Sequence, residues 1–184
     1  QVLITPSFAL GQATREILRM AEITQEMLEK MMFAFRKNDL HFLPEIQSLE
    51  EKSDILHREI KKYLIQLSQH NMTAEQADQQ LVLVTLTSDL ENIGDTVIKT
   101  IVPLVRIKIE KKLHFSDEGF KELRDFHEKV LENFQLTLSA FTNGNTDLYR
   151  KVIQNKDALL QQELFLREQH LVRLRHGIKE SLDT

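Results

Sequence analysis

The chain has 184 residues, with 24 lysines and arginines against 28 aspartates and glutamates, and it has no cysteine. The absence of cysteine excludes disulfides and thiolate metal sites, and the weak, mixed charge disfavours nucleic acid as a partner. No run approaches the roughly 18 apolar residues that a membrane helix requires, so we expect this segment to be soluble.

Two long helices are predicted in the first third of the chain. The first covers about residues 8–37, where apolar side chains recur at three- and four-residue spacing. Asn38 and Asp39 interrupt that pattern. The second helix covers about residues 44–69. Pro44 suits its first turn, because proline lacks a backbone N–H and that group has no partner within the helix at this position. These helices should therefore be long and joined by a short connection.

A third helix begins after a turn at residues 70–72. Thr73 and Gln76 have the spacing of a capping box, in which each side chain binds the other residue's backbone amide. The helical pattern then continues to about Lys112. Pro103 should kink this helix, because proline removes a backbone donor and clashes with the preceding turn.

Two further helices complete the chain. Ser116, followed by two acidic residues, is a favourable start for the fourth helix, which should reach Phe141. The sequence Asn143-Gly144-Asn145 is typical of a turn, and a fifth helix is expected from Thr146. No segment alternates polar and apolar residues as a strand does. The predicted fold is therefore all-α, with antiparallel helices joined by short connections.

The pattern of helices suggests a weak internal repeat. In each copy a long helix, a short turn and a second long helix follow one another. We expect a first three-helix repeat over residues 1–112 and a second repeat over residues 113–184 that lacks its third helix. The alternative is that any two amphipathic helices look somewhat alike. Because the chain begins at Gln1 without a methionine, we expect it to be a piece of a longer protein.

Five residues could form a metal site. Glu50 and Asp54 lie one turn apart on the second helix, in line with His57, and Glu91 and Asp95 lie one turn apart on the third. Both pairs border the apolar stripe of their helix. If the two helices pack antiparallel around their short turn, the pairs fall at similar heights and face one another.

Four carboxylates brought together repel strongly, so they require compensation. A divalent or trivalent cation such as Fe, Mn, Zn or Mg would suit carboxylate and imidazole ligands. Alternatively, basic neighbours such as Lys52 or Arg58 could fold in, or the carboxyl groups could share protons. Solvated faces of two surface helices are the remaining interpretation.

The sequence contains no recognisable catalytic set. It has no phosphate-binding glycine loop, no His-Glu-x-x-His and no nucleophile paired with a base. A carboxylate-bridged metal enzyme would need paired Glu-x-x-His motifs, and only Asp54-x-x-His57 comes close. We therefore expect no enzymatic activity, and in particular no hydrolysis of phosphate esters.

One stretch resembles a known family. Residues 88–95, Ser-Asp-Leu-Glu-Asn-Ile-Gly-Asp, resemble the "DLERIGD" signature of PhoU proteins, with Asn92 at the usual arginine position. Residues 49–60 resemble the acidic segment of the preceding PhoU helix. The resemblance implies a fold of repeated three-helix bundles, in which Glu-x-x-x-Asp motifs hold metal clusters. In the second copy Ile153 or Gln154 stands where Glu50 would map, so the acidic pair is lost there.

A narrower resemblance lies at the start of the chain. Residues 5–21 are similar to the junction that follows the membrane part of bacterial sodium/phosphate cotransporters, which carry a PhoU-like domain at their cytosolic end. This implies a regulatory domain on the cytoplasmic face of the inner membrane, with the transmembrane transporter domain of the same polypeptide as partner. Because the second repeat lacks its third helix, we also expect its two helices to cover their apolar surface by extending the first bundle or by pairing with another chain, so a homodimer is possible. The domain would modulate phosphate uptake through metal, phosphate or partner binding. A free-standing PhoU-like regulator is the alternative.

Overall fold

The fold is a set of long helices, which the computed structural model describes over residues 5–176. The elements are α1 (Pro6–Lys37), α2 (Phe42–Leu67), α3 (Ala74–Thr96), a π-helical turn (Val97–Ile101), α4 (Val102–Glu110), α5 (Asp117–Asn143) and α6 (Thr146–Arg175). Since α3, the π-helical turn and α4 follow without a break, the five predicted helices are present. Residues 5–176 contain no strand, and the all-α prediction is confirmed. None of the described helices combines the length and apolar character needed to cross a bilayer.

The helix ends follow from local hydrogen bonding. At the start of α3 the Gln76 amide donates to the Thr73 hydroxyl at 3.2 Å, and the Thr73 amide donates to the Gln76 side chain at 3.0 Å. The Ser116 hydroxyl accepts from the Gly119 amide at 3.1 Å before α5. Gly144 ends α5 with φ of 62°, a left-handed conformation that glycine adopts at little cost. The predicted capping residues therefore act as expected.

Pro103 lies within a continuous helix, directly after the π-helical turn. Proline cannot donate to the carbonyl one turn earlier, and its ring crowds that carbonyl. A wider π-helical turn is a common way to accommodate such a mismatch inside an α-helix. The π-helical turn changes the hydrogen-bond pattern beside Pro103, and the chain continues as α4. The expected kink at Pro103 stays a prediction.

Contacts divide the described chain into two compact units. Residues 5–31 and 41–103 form the first, and residues 32–40 and 104–176 form the second. The division differs from the repeat boundaries expected at residues 112 and 113, since the end of α1 and all but the start of α4 lie in the second unit. The repeat itself stays a prediction, and residues 177–184 lie outside the described part.

The first unit has an apolar core drawn from α1, α2 and α3. Fully buried side chains include Ile17, Met20 and Met27 of α1, Ile46 and Leu64 of α2, and Leu83 and Leu90 of α3. Polar contacts join the helices at the edges. Lys30 lies 2.7 Å from Glu45, and the Gln76 side chain donates to the Ser7 hydroxyl at 2.9 Å. The three helices of this unit therefore form a bundle.

The second unit is built on the hairpin of α5 and α6. Arg173 of α6 makes a two-pronged contact with Glu122 of α5, at 2.7 and 3.1 Å, and Lys129 donates to Gln162 at 2.8 Å. Among its described residues, Ala140 is a buried apolar residue of α5, and α6 has no buried residue. The hairpin therefore leaves much of its apolar surface uncovered.

Lys108 is a buried cation in the second unit. It is 8% exposed, and its ammonium donates to the Phe35 carbonyl at 3.1 Å and to the Asn38 side-chain oxygen. It also lies 4.6 Å from the centre of the Phe35 ring. Burial lowers the pKa of Lys108 below its usual 10.5. The lysine thus caps carbonyl groups at the C-terminus of α1, where the helix dipole favours positive charge.

Candidate functional site

The α2–α3 hairpin places acidic groups from both helices close together. Burial raises the pKa of Glu50 above its usual value, and the nearby carboxylates of Asp54 and Asp95 raise it further. Asp54 shares α2 with Glu50, whereas Asp95 belongs to α3. The structure therefore brings carboxylates together across the α2–α3 contact, as the antiparallel arrangement predicts.

A lysine that the sequence analysis did not single out accompanies this cluster. Lys99 lies one turn after Asp95, and its ammonium is 2.6 Å from the Asp95 carboxylate. The hydrogen bond with Asp95 raises the pKa of Lys99, and the charges of Asp95, Glu91 and Glu50 act in the same direction. Glu91 is therefore also within the electrostatic field of the cluster. In the sequence, the four-residue spacing between Asp95 and Lys99 is that of a helical ion pair and could have identified this pair.

Lys99 provides a counter-charge that the sequence analysis considered only for other basic residues, as one of three alternatives. Lys52 and Arg58, the basic neighbours considered from the sequence, are both exposed on α2. The Lys99 side chain is itself 70% exposed, while that of Asp95 is 28% exposed. Solvent screens such a pair, so it contributes little to stability. Its consequence is electrostatic, since it offsets part of the negative charge of the cluster.

Two polar side chains lie among the inward-facing residues of α2 beside the cluster. Ser53 is 3% exposed, and its hydroxyl has no hydrogen-bond partner among the described residues. The Nε2 atom of the half-buried His57 is likewise buried and without such a partner. Unsatisfied polar atoms are costly in an interior. The inward-facing side of α2, which is apolar elsewhere, is therefore polar at Ser53 and His57.

The five predicted ligands are not gathered into one ligand set in this conformation. Within residues 5–176, no three histidine, aspartate or glutamate side chains converge as a ligand set. The Asp95 carboxylate is also occupied by Lys99. A metal site at Glu50, Asp54, His57, Glu91 and Asp95 stays a prediction, and it would require the Lys99 side chain to leave and the carboxylates to turn inward.

Gly94 lies where α1 packs against α3 beside the cluster. A Cβ atom at this position would lie 3.8 Å from the Met27 Cε atom, an ordinary van der Waals contact. Both residues are buried in the first unit. A Cβ atom would therefore fit at this position, and the contact between Met27 and α3 does not require glycine.

Part of the chain matches a known protein family. Residues 17–100 match the family model described as "PhoU domain", a range that contains all five candidate residues. No solved structure matches the chain.

Curated relatives match over nearly the whole chain. The protein from Salmonella typhimurium named "Putative inorganic phosphate export protein YjbB" is 25% identical over 186 aligned residues, which cover 99% of this chain and 33% of the relative. Proteins of the same name from Escherichia coli K12 and Shigella flexneri are 25% identical over 185 residues. The chain spans about a third of the length of these relatives. It therefore carries a segment that matches the PhoU domain family, within a sequence similar to part of longer proteins named for phosphate export.

Proposed function

We propose that this chain is a cytosolic regulatory domain of a phosphate-transport protein. The observation that carries the proposal is the similarity over 99% of the chain to one third of proteins named for phosphate export. The PhoU match over residues 17–100 supports a role in phosphate handling. In this proposal the transport pathway lies in the remaining part of a longer polypeptide, and that part is the domain's partner.

The proposal includes sodium dependence, which rests on the resemblance of residues 5–21 to sodium/phosphate cotransporters. The names of the curated relatives refer to export, whereas that resemblance favours uptake. We propose regulation of phosphate movement in either direction, since the features of the α2–α3 hairpin do not depend on the direction of transport.

The charge of the α2–α3 cluster restricts what the domain can bind there. The carboxylates of Glu50, Glu91 and Asp95 have the Lys99 ammonium as a nearby counter-charge, and the Asp54 carboxylate lies close enough to Glu50 to raise its pKa. Bare phosphate would be repelled by this net negative charge. We therefore propose that the cluster recognises a cation, either a metal ion that could also hold phosphate or a basic segment of the transporter. The domain would act as a regulator and not as an enzyme.

A free-standing PhoU-like regulator is the second candidate function. It is favoured by the family match, which lies within the helical bundle and does not involve any transport segment. The complete reading frame separates the two candidates. Several apolar spans of about 20 residues in the same polypeptide would support the transporter domain. A reading frame that encodes little more than this chain would contradict it.

A metal titration tests whether the cluster accepts a cation. We expect Mn²⁺ to raise the melting temperature of the wild type less than that of Lys99→Gln, because Lys99 competes for the Asp95 carboxylate. In Lys99→Gln the competitor is gone. At a metal concentration about a hundredfold above Kd, binding adds about 2.7 kcal/mol to stability, which corresponds to roughly 5–10 °C for a chain of this size.

Two further variants control this titration. Adding Asp54→Asn or Asp95→Asn to Lys99→Gln should remove the response to Mn²⁺, because each removes a predicted ligand. Asp78→Asn, which changes an exposed carboxylate of α3 outside the cluster, should leave it intact. A Lys99→Gln chain whose melting temperature does not respond to Mn²⁺, Fe²⁺ or Zn²⁺ would rule out the metal form of the proposal.

A further inference from the structure

The outer face of α6 carries an apolar stripe that the second unit leaves exposed. The side of α6 that faces α5 includes Gln162 and Arg173, which bind Lys129 and Glu122. At about 100° per residue, another set of residues lies on the opposite face of α6, roughly 170° away from Gln162 and Arg173. We call this set the outer stripe, and it consists of Ile153, Asp157, Leu160, Leu164, Arg167 and Leu171.

The apolar members of the outer stripe are solvent-exposed. Leu164 is 47% exposed and Ile153 is 59% exposed, and Leu160 and Leu171 lie between these values. Successive members of the stripe are separated by four, three, four, three and four residues. This alternation is the spacing of a coiled-coil seam, in which one helix packs along another. The outer stripe is therefore patterned for contact with a second helix.

The outer stripe is symmetric about position 162. Leu160 and Leu164 lie two residues on either side of it, and Ile153 and Leu171 lie nine residues on either side. Its two charged members, Asp157 and Arg167, lie five residues on either side. An antiparallel copy of α6 centred at this position would thus set leucine against leucine, isoleucine against leucine, and aspartate against arginine.

The charged pair distinguishes the two possible orientations of such a contact. In a parallel pair each residue of the seam meets its own copy, so Asp157 would face Asp157 and Arg167 would face Arg167. In an antiparallel pair centred at position 162, each residue of the seam meets the residue of the other copy that lies equally far on the opposite side of the centre. Each Asp157 therefore faces an Arg167. Like charges at a helix contact are destabilising, whereas opposite charges fix the register. Charge complementarity therefore favours the antiparallel arrangement.

The position of these charges also decides what covers the stripe. A lipid surface would have to bury Asp157 and Arg167, which lie among the apolar residues. An unrelated helix would need a matching pattern of its own, whereas a second copy of α6 already supplies one. A two-fold contact is also the commonest form of self-association, because it places the same patch on both subunits.

We propose that the chain forms an antiparallel homodimer through the outer stripe of α6. The stripe spans 19 residues, about 27 Å of helix, which is short for a permanent interface. The dimer is therefore reversible. This inference does not depend on the proposed role in phosphate transport, because it rests only on the exposure, spacing and charges of residues in α6.

The test begins with sedimentation equilibrium of the 184-residue chain from about 1 to 300 µM. A monomer–dimer equilibrium is expected for the wild type. Leu160→Glu places a charge at the centre of the contact and should raise Kd at least about tenfold. Phe165→Glu is the matched control, since Phe165 is 55% exposed on α6 but lies outside the stripe, and its Kd should equal that of the wild type. Circular dichroism should show unchanged helix content in both variants.

A charge exchange tests the orientation. Asp157→Arg alone sets arginine against arginine, and Arg167→Asp alone sets aspartate against aspartate, so each should weaken the dimer. The two changes together restore opposite charges and should return Kd to within about threefold of the wild type. The proposal fails if the wild type stays monomeric up to 300 µM, if Leu160→Glu and Phe165→Glu weaken association equally, or if the double exchange does not rescue it. A monomeric chain would point to an occupant elsewhere in the longer polypeptide.

Discussion

Replacing Leu83 with alanine is expected to lower the free energy of unfolding by about 2–5 kcal/mol. Leu83 is fully buried in the first unit, so the truncated side chain leaves a cavity that its neighbours fill only in part. The corresponding loss in melting temperature is roughly 5–15 °C for a chain of this size. Thermal and urea unfolding followed by circular dichroism measure both quantities.

Leu81 provides the matched control on the same helix. It is 66% exposed, and Leu81→Ala should change stability by less than about 0.5 kcal/mol, as is usual for surface positions. Both leucines belong to one apolar run on α3, so the comparison tests which face of the helix is buried. If both variants lose the same free energy of unfolding, α3 does not bury the face that contains Leu83 in preference to the face that contains Leu81.

Replacing Lys108 with methionine is expected to cost about 2 kcal/mol. The methionine removes the hydrogen bonds to the Phe35 carbonyl and the Asn38 side chain, and it leaves these acceptors without their buried donor. Relief of the cost of burying the ammonium offsets part of this loss. The matched control is Lys111→Met, since Lys111 is exposed three residues later and should have little effect.

The lowered pKa of Lys108 also predicts a pH dependence. Between that lowered pKa and 10.5, the unfolded chain binds a proton at this residue that the folded chain does not bind. Stability therefore rises as pH increases through this interval, and below it the cost of charging the buried lysine is fully present. Lys108→Met lacks this contribution, so the stability difference between wild type and variant should grow with pH. A difference that stays constant or shrinks with rising pH would contradict the described burial of Lys108.

The helix boundaries could be predicted because they depend on local chemistry. Thr73 with Gln76, Ser116 and Gly144 each satisfy backbone groups or adopt a backbone conformation within a few residues of their own position. Such signals need no knowledge of the tertiary fold. The placement of Glu50 near Asp95 was also predictable, because a short turn and two apolar stripes determine how α2 and α3 pair.

Other features depend on contacts between distant parts of the chain. Lys108 lies in a basic run that is typical of an exposed helix end, yet it is buried against Phe35, far away in sequence. Likewise, the apolar run at residues 81–86 lacks a periodicity that would identify Leu83 as buried and Leu81 as exposed. The contact of Lys99 with Asp95 could have been predicted from the sequence, because the four-residue spacing is that of a helical ion pair.

The central claim is that this domain regulates a phosphate-transport protein. The most direct test measures the flux of radiolabelled phosphate through the complete polypeptide in cells, with and without the segment corresponding to this chain. The proposal predicts that transport persists without the segment but that its rate no longer responds to phosphate supply, and that Glu50→Gln with Asp95→Asn weakens the same response. A flux that depends on phosphate supply identically with and without the segment, at equal protein levels, would contradict it.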